Sequence, residues 1–153
     1  MPAATLIIGV GNEYRGDDAV GLAVARRAQA VVAAPVVVLE ASGEGVALMD
    51  AWQGAGTVVV IDAVYSGGAP GTIYRFEAQT TTIPVRFFHY STHAFSVAEA
   101  IELARALDRL PPRLILYGIE GKSFAAGAGL SPEIEQAAGD VLARLLEDIQ
   151  RHA

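Results

Sequence analysis

The chain has no cysteine in its 153 residues. That absence removes disulfides, thiolate zinc sites and a cysteine nucleophile from consideration, and it suits a cytoplasmic protein. Positive charge is scarce too, with 11 Lys and Arg against 17 Asp and Glu and a formal net charge of -6. A surface for nucleic acid needs clustered cations, so no nucleic-acid partner is expected. No apolar run approaches the roughly 20 residues that span a bilayer. The chain starts almost directly in a strand pattern, with no basic segment or small-residue cleavage site, so neither a signal peptide nor a membrane partner is expected. Also missing are a Gly-x-Ser-x-Gly elbow, a Gly-x-x-x-x-Gly-Lys phosphate loop, His-Glu-x-x-His, and the Asp-Thr-Gly or Asp-Ser-Gly tripeptides. Familiar serine, zincin and pepsin-like peptidases are excluded on these grounds.

Apolar residues are abundant, at 52% against 18% charged. A chain of this length buries about two thirds of its unfolded surface without staples, so one domain over residues 1–153 is expected. Short β-branched runs predict strands at Thr5 to Val10, Val36 to Leu39, Thr57 to Ile61, Thr72 to Phe76 and Leu114 to Tyr117. Their near-continuous apolarity implies buried strands. Helical stripes lie between and after them: Val20, Val24, Ala28 and Val31; a shorter helix over Gly45 to Gln53; Val97, Ala100, Ile101, Ala104 and Leu107; and Ile134, Ala138, Val141, Leu145 and Ile149. Ser131, Pro132 and Glu133 announce the last helix as cap, first residue and first-turn acid. This alternation predicts a three-layer α/β sandwich: a mostly parallel twisted sheet of about five strands, one of them antiparallel, with helices on both faces. The link Ala63 to Gly71 has no room for a crossover helix, so the third and fourth strands are expected to be antiparallel neighbours. Two loops, Glu77 to Thr92 and Gly121 to Gly129, are long for such a fold.

The most informative segment runs from Leu6 to Gly21, where an apolar strand enters a glycine turn and then a pair of carboxylates. Gly9 and Gly11 imitate a dinucleotide loop, but Tyr14 fills the third glycine's place. Asp17 and Asp18 put negative charge where a phosphate would need donors. The turn is better suited to receive a cation or activate a water.

In open α/β sheets, ligands gather beyond the carboxyl ends of the strands. Asp17, Asp18, Asp62, Glu120 and His93 all map there. Each has a plain alternative. One of Asp17 and Asp18 is expected to cap the first helix, which leaves the other free for chemistry. Asp62 could simply bond the turn after its strand. His93 sits at the entry to the third helix, which Thr92 or the Ser96 to Glu99 capping box could start. Glu120 reads as a solvated loop acid and His89 as a surface histidine. One of Asp17 and Asp18, together with Asp62 and His93, makes a mixed oxygen and nitrogen set for a borderline divalent ion such as nickel or zinc. Without a metal, they could serve as general base and acid.

These residues resemble the endopeptidases that mature nickel-iron hydrogenases, peptidase family M52. The resemblance is carried by Gly-Val-Gly-Asn-x-x-x-x-Asp-Asp-x-x-Gly from Gly9 to Gly21, Val-Val-Val-Ile-Asp-Ala from Val58 to Ala63, Gly-Ala-Pro-Gly at Gly68 to Gly71, Ser-Thr-His at Ser91 to His93, and Gly-Leu-Ser-Pro-Glu at Gly129 to Glu133. It implies a phosphorylase/hydrolase-like fold and an endopeptidase that removes the C-terminal extension of a nickel-iron hydrogenase large-subunit precursor once nickel is inserted. Asp18, Asp62 and His93 match the family's metal-contacting positions, with Asp18 where some members carry glutamate; Asp17 is then given mainly to the helix and Asp18 to the chemistry. The metal implied is the substrate's nickel, contacted transiently; no permanent cofactor is expected, although zinc or cadmium could occupy the site. Ser91 and Thr92 are implied supports of that site by position. A cytoplasmic monomer is expected. A non-catalytic nickel-dependent binding module or chaperone would use the same ligands without cutting.

Overall fold

The computed structural model describes residues 4–84 and 96–151. The elements are β1 (Thr5–Val10), a 3-10 turn (Gly16–Ala19), α1 (Val20–Val31), β2 (Val36–Ala41), α2 (Gly45–Ala51), β3 (Thr57–Val64), β4 (Ile73–Glu77), α3 (Val97–Ala106), β5 (Arg113–Glu120) and α4 (Pro132–Arg151). The five strands form one sheet in the order β2-β1-β3-β5-β4, parallel except for β4, which runs against β5.

Strand pleat divides the core. Leu6, Ile8, Val58, Val60, Leu114 and Leu116 face one side, where they meet α2 through Leu48 and Trp52 and α3 through Ala100, Ile101 and Ala104. Ile7, Val59, Ile61, Ile115 and Tyr117 face the other, against α1 through Val20, Val24 and Ala28 and α4 through Ile134, Ala138, Val141 and Leu145. Two helices therefore cover each face, as the alternation of patterns requires.

Several sequence expectations need correction. β4 is antiparallel, but its partner is β5 and not β3. The link over residues 65–72 is long enough to pass one strand, a step of about 10 Å at ordinary strand spacing. β5 is buried at seven of eight positions, so it takes the inner place. β4, carrying Arg75 and Glu77, takes the edge. The edge strands β2 and β4 are only half-buried, contrary to their apolar sequences. Val31 and Leu107, placed in helical stripes by periodicity, are exposed where their helices end.

α1 lies unusually close to the sheet. A Cβ on Gly21 would come within 2.3 Å of the Val10 carbonyl oxygen and 2.4 Å of that of Ile61. One on Gly9 would come within 2.2 Å of the Gly21 carbonyl oxygen. Glycine at both positions lets the first turn of α1 rest directly on β1 and β3.

At the far edge, Asp148 of α4 is buried and receives Arg75 at 2.8 Å and the Tyr117 hydroxyl. Burial opposes its charge, but these hydrogen bonds outweigh burial and hold its carboxyl below the usual range. Burial, followed by the Asp148 bond, pushes Tyr117 up to about 12.

Two outcomes follow from this packing. Gly21→Ala gains about 1 kcal/mol in helix propensity but drives α1 off the sheet; a net loss of about 1–3 kcal/mol is expected in urea denaturation. A stabilised variant would contradict the close contact. A carboxyl held low in the folded state contributes stability that is complete above its unfolded pKa, near 3.8 for Asp148, and is lost as pH falls through the folded value. The wild type should therefore lose stability below about pH 4 more steeply than Asp148→Asn, as read from urea midpoints against pH; parallel profiles would contradict the assignment.

Candidate active site

The chain enters the sheet at β1, crosses under α1 to β2, then returns under α2 on the opposite face to β3. The direction of winding thus reverses between β1 and β3, which opens a crevice at their carboxyl ends. β1 last pairs with β3 at Gly9 and Ile61, so from Asp62 to Val64 β3 runs beyond that pairing and forms one wall. The turn from Gly11 to Ala19 forms the other. It is closed by bonds from the Asn12 N–H to the Asp18 carbonyl at 3.3 Å and from the Asp18 N–H to the Arg15 carbonyl at 3.0 Å.

This geometry brings Asp18 and Asp62 together. Asp18 is pushed up to about 6 by burial, against the opposing pull of the Arg15 charge and the Asn12 backbone. Asp62 is raised well above the usual carboxyl range, first by burial and then by the charge of Asp18; the Ala63 N–H, 2.8 Å from Oδ1, opposes this. Two crowded carboxylates raise each other's affinity for positive charge, whether proton or metal. Their oxygen donors fit a divalent cation. Among the described residues no three His, Cys, Asp or Glu side chains gather as a metal site. His93, His89, Ser91 and Thr92 lie outside the described residues. α3 starts at the Ser96 to Glu99 capping box, one of the two starts the sequence allowed.

Two other acids behave differently from expectation. Asp17 does not cap α1: neither the 3-10 turn nor α1 has a side-chain cap. Asp17 is instead fully buried and accepts four hydrogen bonds from the segment after β5. The Lys122 and Ser123 N–H groups lie at 2.8 Å, the Ser131 N–H at 2.7 Å and the Ser131 hydroxyl at 2.8 Å. Burial alone would raise its pKa; the hydrogen bonds outweigh that and hold it low. α4 begins at Pro132 as its sequence announces, although the Ser131 hydroxyl is turned to Asp17. Glu120 is not a solvated loop acid. It ends β5, is 1% exposed, and accepts from the Ser66 N–H at 2.8 Å, the Ser66 hydroxyl and the Tyr74 hydroxyl at 3.1 Å.

Four acids thus divide into two pairs. Asp17 and Glu120 lace the three loops at this end of the sheet, and Asp18 and Asp62 face the crevice. Nothing in residue type separates them; only the arrival of backbone donors from 105 to 114 positions away along the chain gives Asp17 its role. A cavity lined by Trp52, Asp108, Arg109 and Pro111 lies at the amino ends of the strands and contains none of these residues.

Asp17→Ala leaves several buried donors unmatched, so a loss on the order of 3 kcal/mol is expected in chemical denaturation. Asp17→Asn keeps one acceptor oxygen and should lose less. An Ala variant as stable as the wild type would remove the clasp assignment.

The hydrogenase maturation protease family model, HycI, matches residues 22–148, starting just after the turn that carries Asp18. The hydrogenase expression/formation protein HupD of Thiocapsa roseopersicina is 28% identical over 145 residues, covering 93% of this chain and 66% of that protein. HupD of Rhodobacter capsulatus is 26% identical over 121 residues, covering 78% and 58% respectively. The chain thus spans less than two thirds of the length of these curated relatives. Among solved structures, the hydrogenase maturating endopeptidase HybD from E. coli superposes with a TM-score of 0.82 over 97% of this chain and 93% of that one, at 21% identity. The [NiFe] hydrogenase maturation protease HycI from Thermococcus kodakarensis does so with a TM-score of 0.71 over 95% and 91%, at 26% identity. The fold agrees with these structures, and the family match covers most of the sequence: the chain belongs to the hydrogenase maturation protease family.

Proposed function

We propose that this chain is an endopeptidase that removes the C-terminal extension of a nickel-iron hydrogenase large-subunit precursor after nickel insertion. Asp18, Asp62 and His93 contact the nickel that the precursor already carries. The observation that supports this reading most is the Asp18 and Asp62 pair at the switch-point crevice, inside a chain of this family. Each carboxylate gains from a cation that relieves the other's charge. A precursor arriving with its metal supplies that cation, and one without it does not. Affinity would then depend on a metal shared by two proteins, which makes proteolysis a checkpoint on metal insertion. On this reading the protein acts as a cytoplasmic monomer and holds no metal of its own.

Incubating the protein with a matching nickel-loaded precursor should release one C-terminal peptide, seen as a lower intact mass of the large subunit. Asp18→Asn and Asp62→Asn should each slow turnover by roughly 10²–10⁴-fold, with the urea midpoint retained. Near-wild-type turnover in either variant would remove its proposed role. Nickel-dependent association without any change of mass would show a binding module or chaperone instead.

A further inference from the structure

The two edges of the sheet are guarded unequally. At the β4 edge, Arg75 reaches Glu77 at 3.4 Å and Asp148 at 2.8 Å, so fixed charges discourage another strand from pairing there. β2 is guarded by a single charge. It reads Val-Val-Val-Leu-Glu-Ala, with no Lys or Pro within it, and among the described residues no strand pairs with its outer side. Val37 and Leu39 are 46% and 38% exposed, on the face that carries Leu6 and Ile8 in β1. Its one charge, Glu40, alternates away from them and is held by Arg26 at 2.9 Å.

This edge also belongs to the same corner as the crevice. The Gly11 N–H donates to the Ala41 carbonyl at 3.0 Å, joining the end of β2 to the turn that presents Asp18. Arg26 bridges Glu40 to Glu13 of that turn, the latter at 3.1 Å. An extended chain leaving the crevice over β1 meets the outer side of β2 after about 10 Å, or three residues.

We propose that the free edge of β2 takes an extended, apolar segment of the protein substrate as a further strand, with Val37 and Leu39 receiving its alternate side chains. Strand addition draws affinity from main-chain hydrogen bonds and selectivity from the alternating contacts, both of which this edge offers. A second copy of the chain fits less well. Six paired residues with two apolar side chains per copy fall well short of the ~1,000 Å² that a specific dimer needs. A segment tethered to a protein already held at the crevice needs far less area, because its docking is intramolecular. The inference rests on the proteolytic reading above.

The test is a Val37→Lys, Leu39→Lys double variant assayed on the nickel-loaded precursor beside the wild type, with urea midpoints and sedimentation velocity on both. The expected result is a KM raised about tenfold, the 1.4 kcal/mol of one lost strand contact, with kcat unchanged. If the Lys variant does not fold, Val37→Thr, Leu39→Thr keeps strand propensity and should raise KM in the same direction. Unchanged KM in a folded variant, with wild-type cutting intact, overturns the strand-addition proposal alone. A wild type that cuts no precursor overturns the proteolytic reading and this one with it. A wild-type dimer that the variant lacks assigns the edge to a second copy and overturns the proposal.

Discussion

The contact between α1 and the sheet sets the position of everything at the carboxyl edge. With Gly9 beneath and Gly21 above, the helix rests on the backbone of β1 and β3 with no side chain between them. A helix at ordinary distance from a sheet would carry its preceding turn outward by the thickness of a side chain. Here the turn is drawn in over the end of β1, and Asp18 comes close enough to Asp62 for the two charges to be felt. Gly9, which with Gly11 imitates a dinucleotide loop, thus serves a different end here together with Gly21. They deliver an acid to the crevice where a dinucleotide fold would deliver bare N–H groups.

Holding two carboxylates together in a half-buried crevice costs free energy, and the surrounding loops must resist drifting apart. Asp17 and Glu120 supply that resistance. One binds the turn after β1 to the segment before α4, and the other binds the end of β5 to the β3–β4 link. Each buried acid is matched to several donors, which is the condition under which a buried charge is tolerated. Adjacent residues on one turn therefore have opposite electrostatic characters. Asp17 is kept ionised by its donors, whereas Asp18, with fewer, is drawn toward its protonated form.

Much of the fold was legible in the sequence because strand and helix periods are local properties. The starts of β1, α2 and α4 fall where caps and apolar patterns place them, α3 takes one of the two starts the sequence offered, and α1 begins with its apolar stripe at Val20 but without the expected aspartate cap. The antiparallel strand was legible too, from a link too short for a crossover helix. Its neighbour was not, because the partner of β4 depends on which strand gains most from the interior, and that is settled by the burial of β5 as a whole. Strand ends were also hidden: β3 and β5 each run three residues past their apolar cores, since pairing continues through Asp62 and Glu120 regardless of side-chain polarity.

The sequence by itself determined the architecture, a site beyond the carboxyl ends of the strands, and the candidacy of Asp18 and Asp62, since all three follow from pattern and from order along the chain. Tertiary structure alone decided which acids hold the loops and which face the crevice. It also decided that Val37 and Leu39 of β2 stay exposed, with no strand beyond β2 among the described residues. The physical reason is the same in both cases. The role of an acid depends on donors brought from distant segments, and the exposure of a strand depends on what packs beside it, and neither is a property of neighbouring residues.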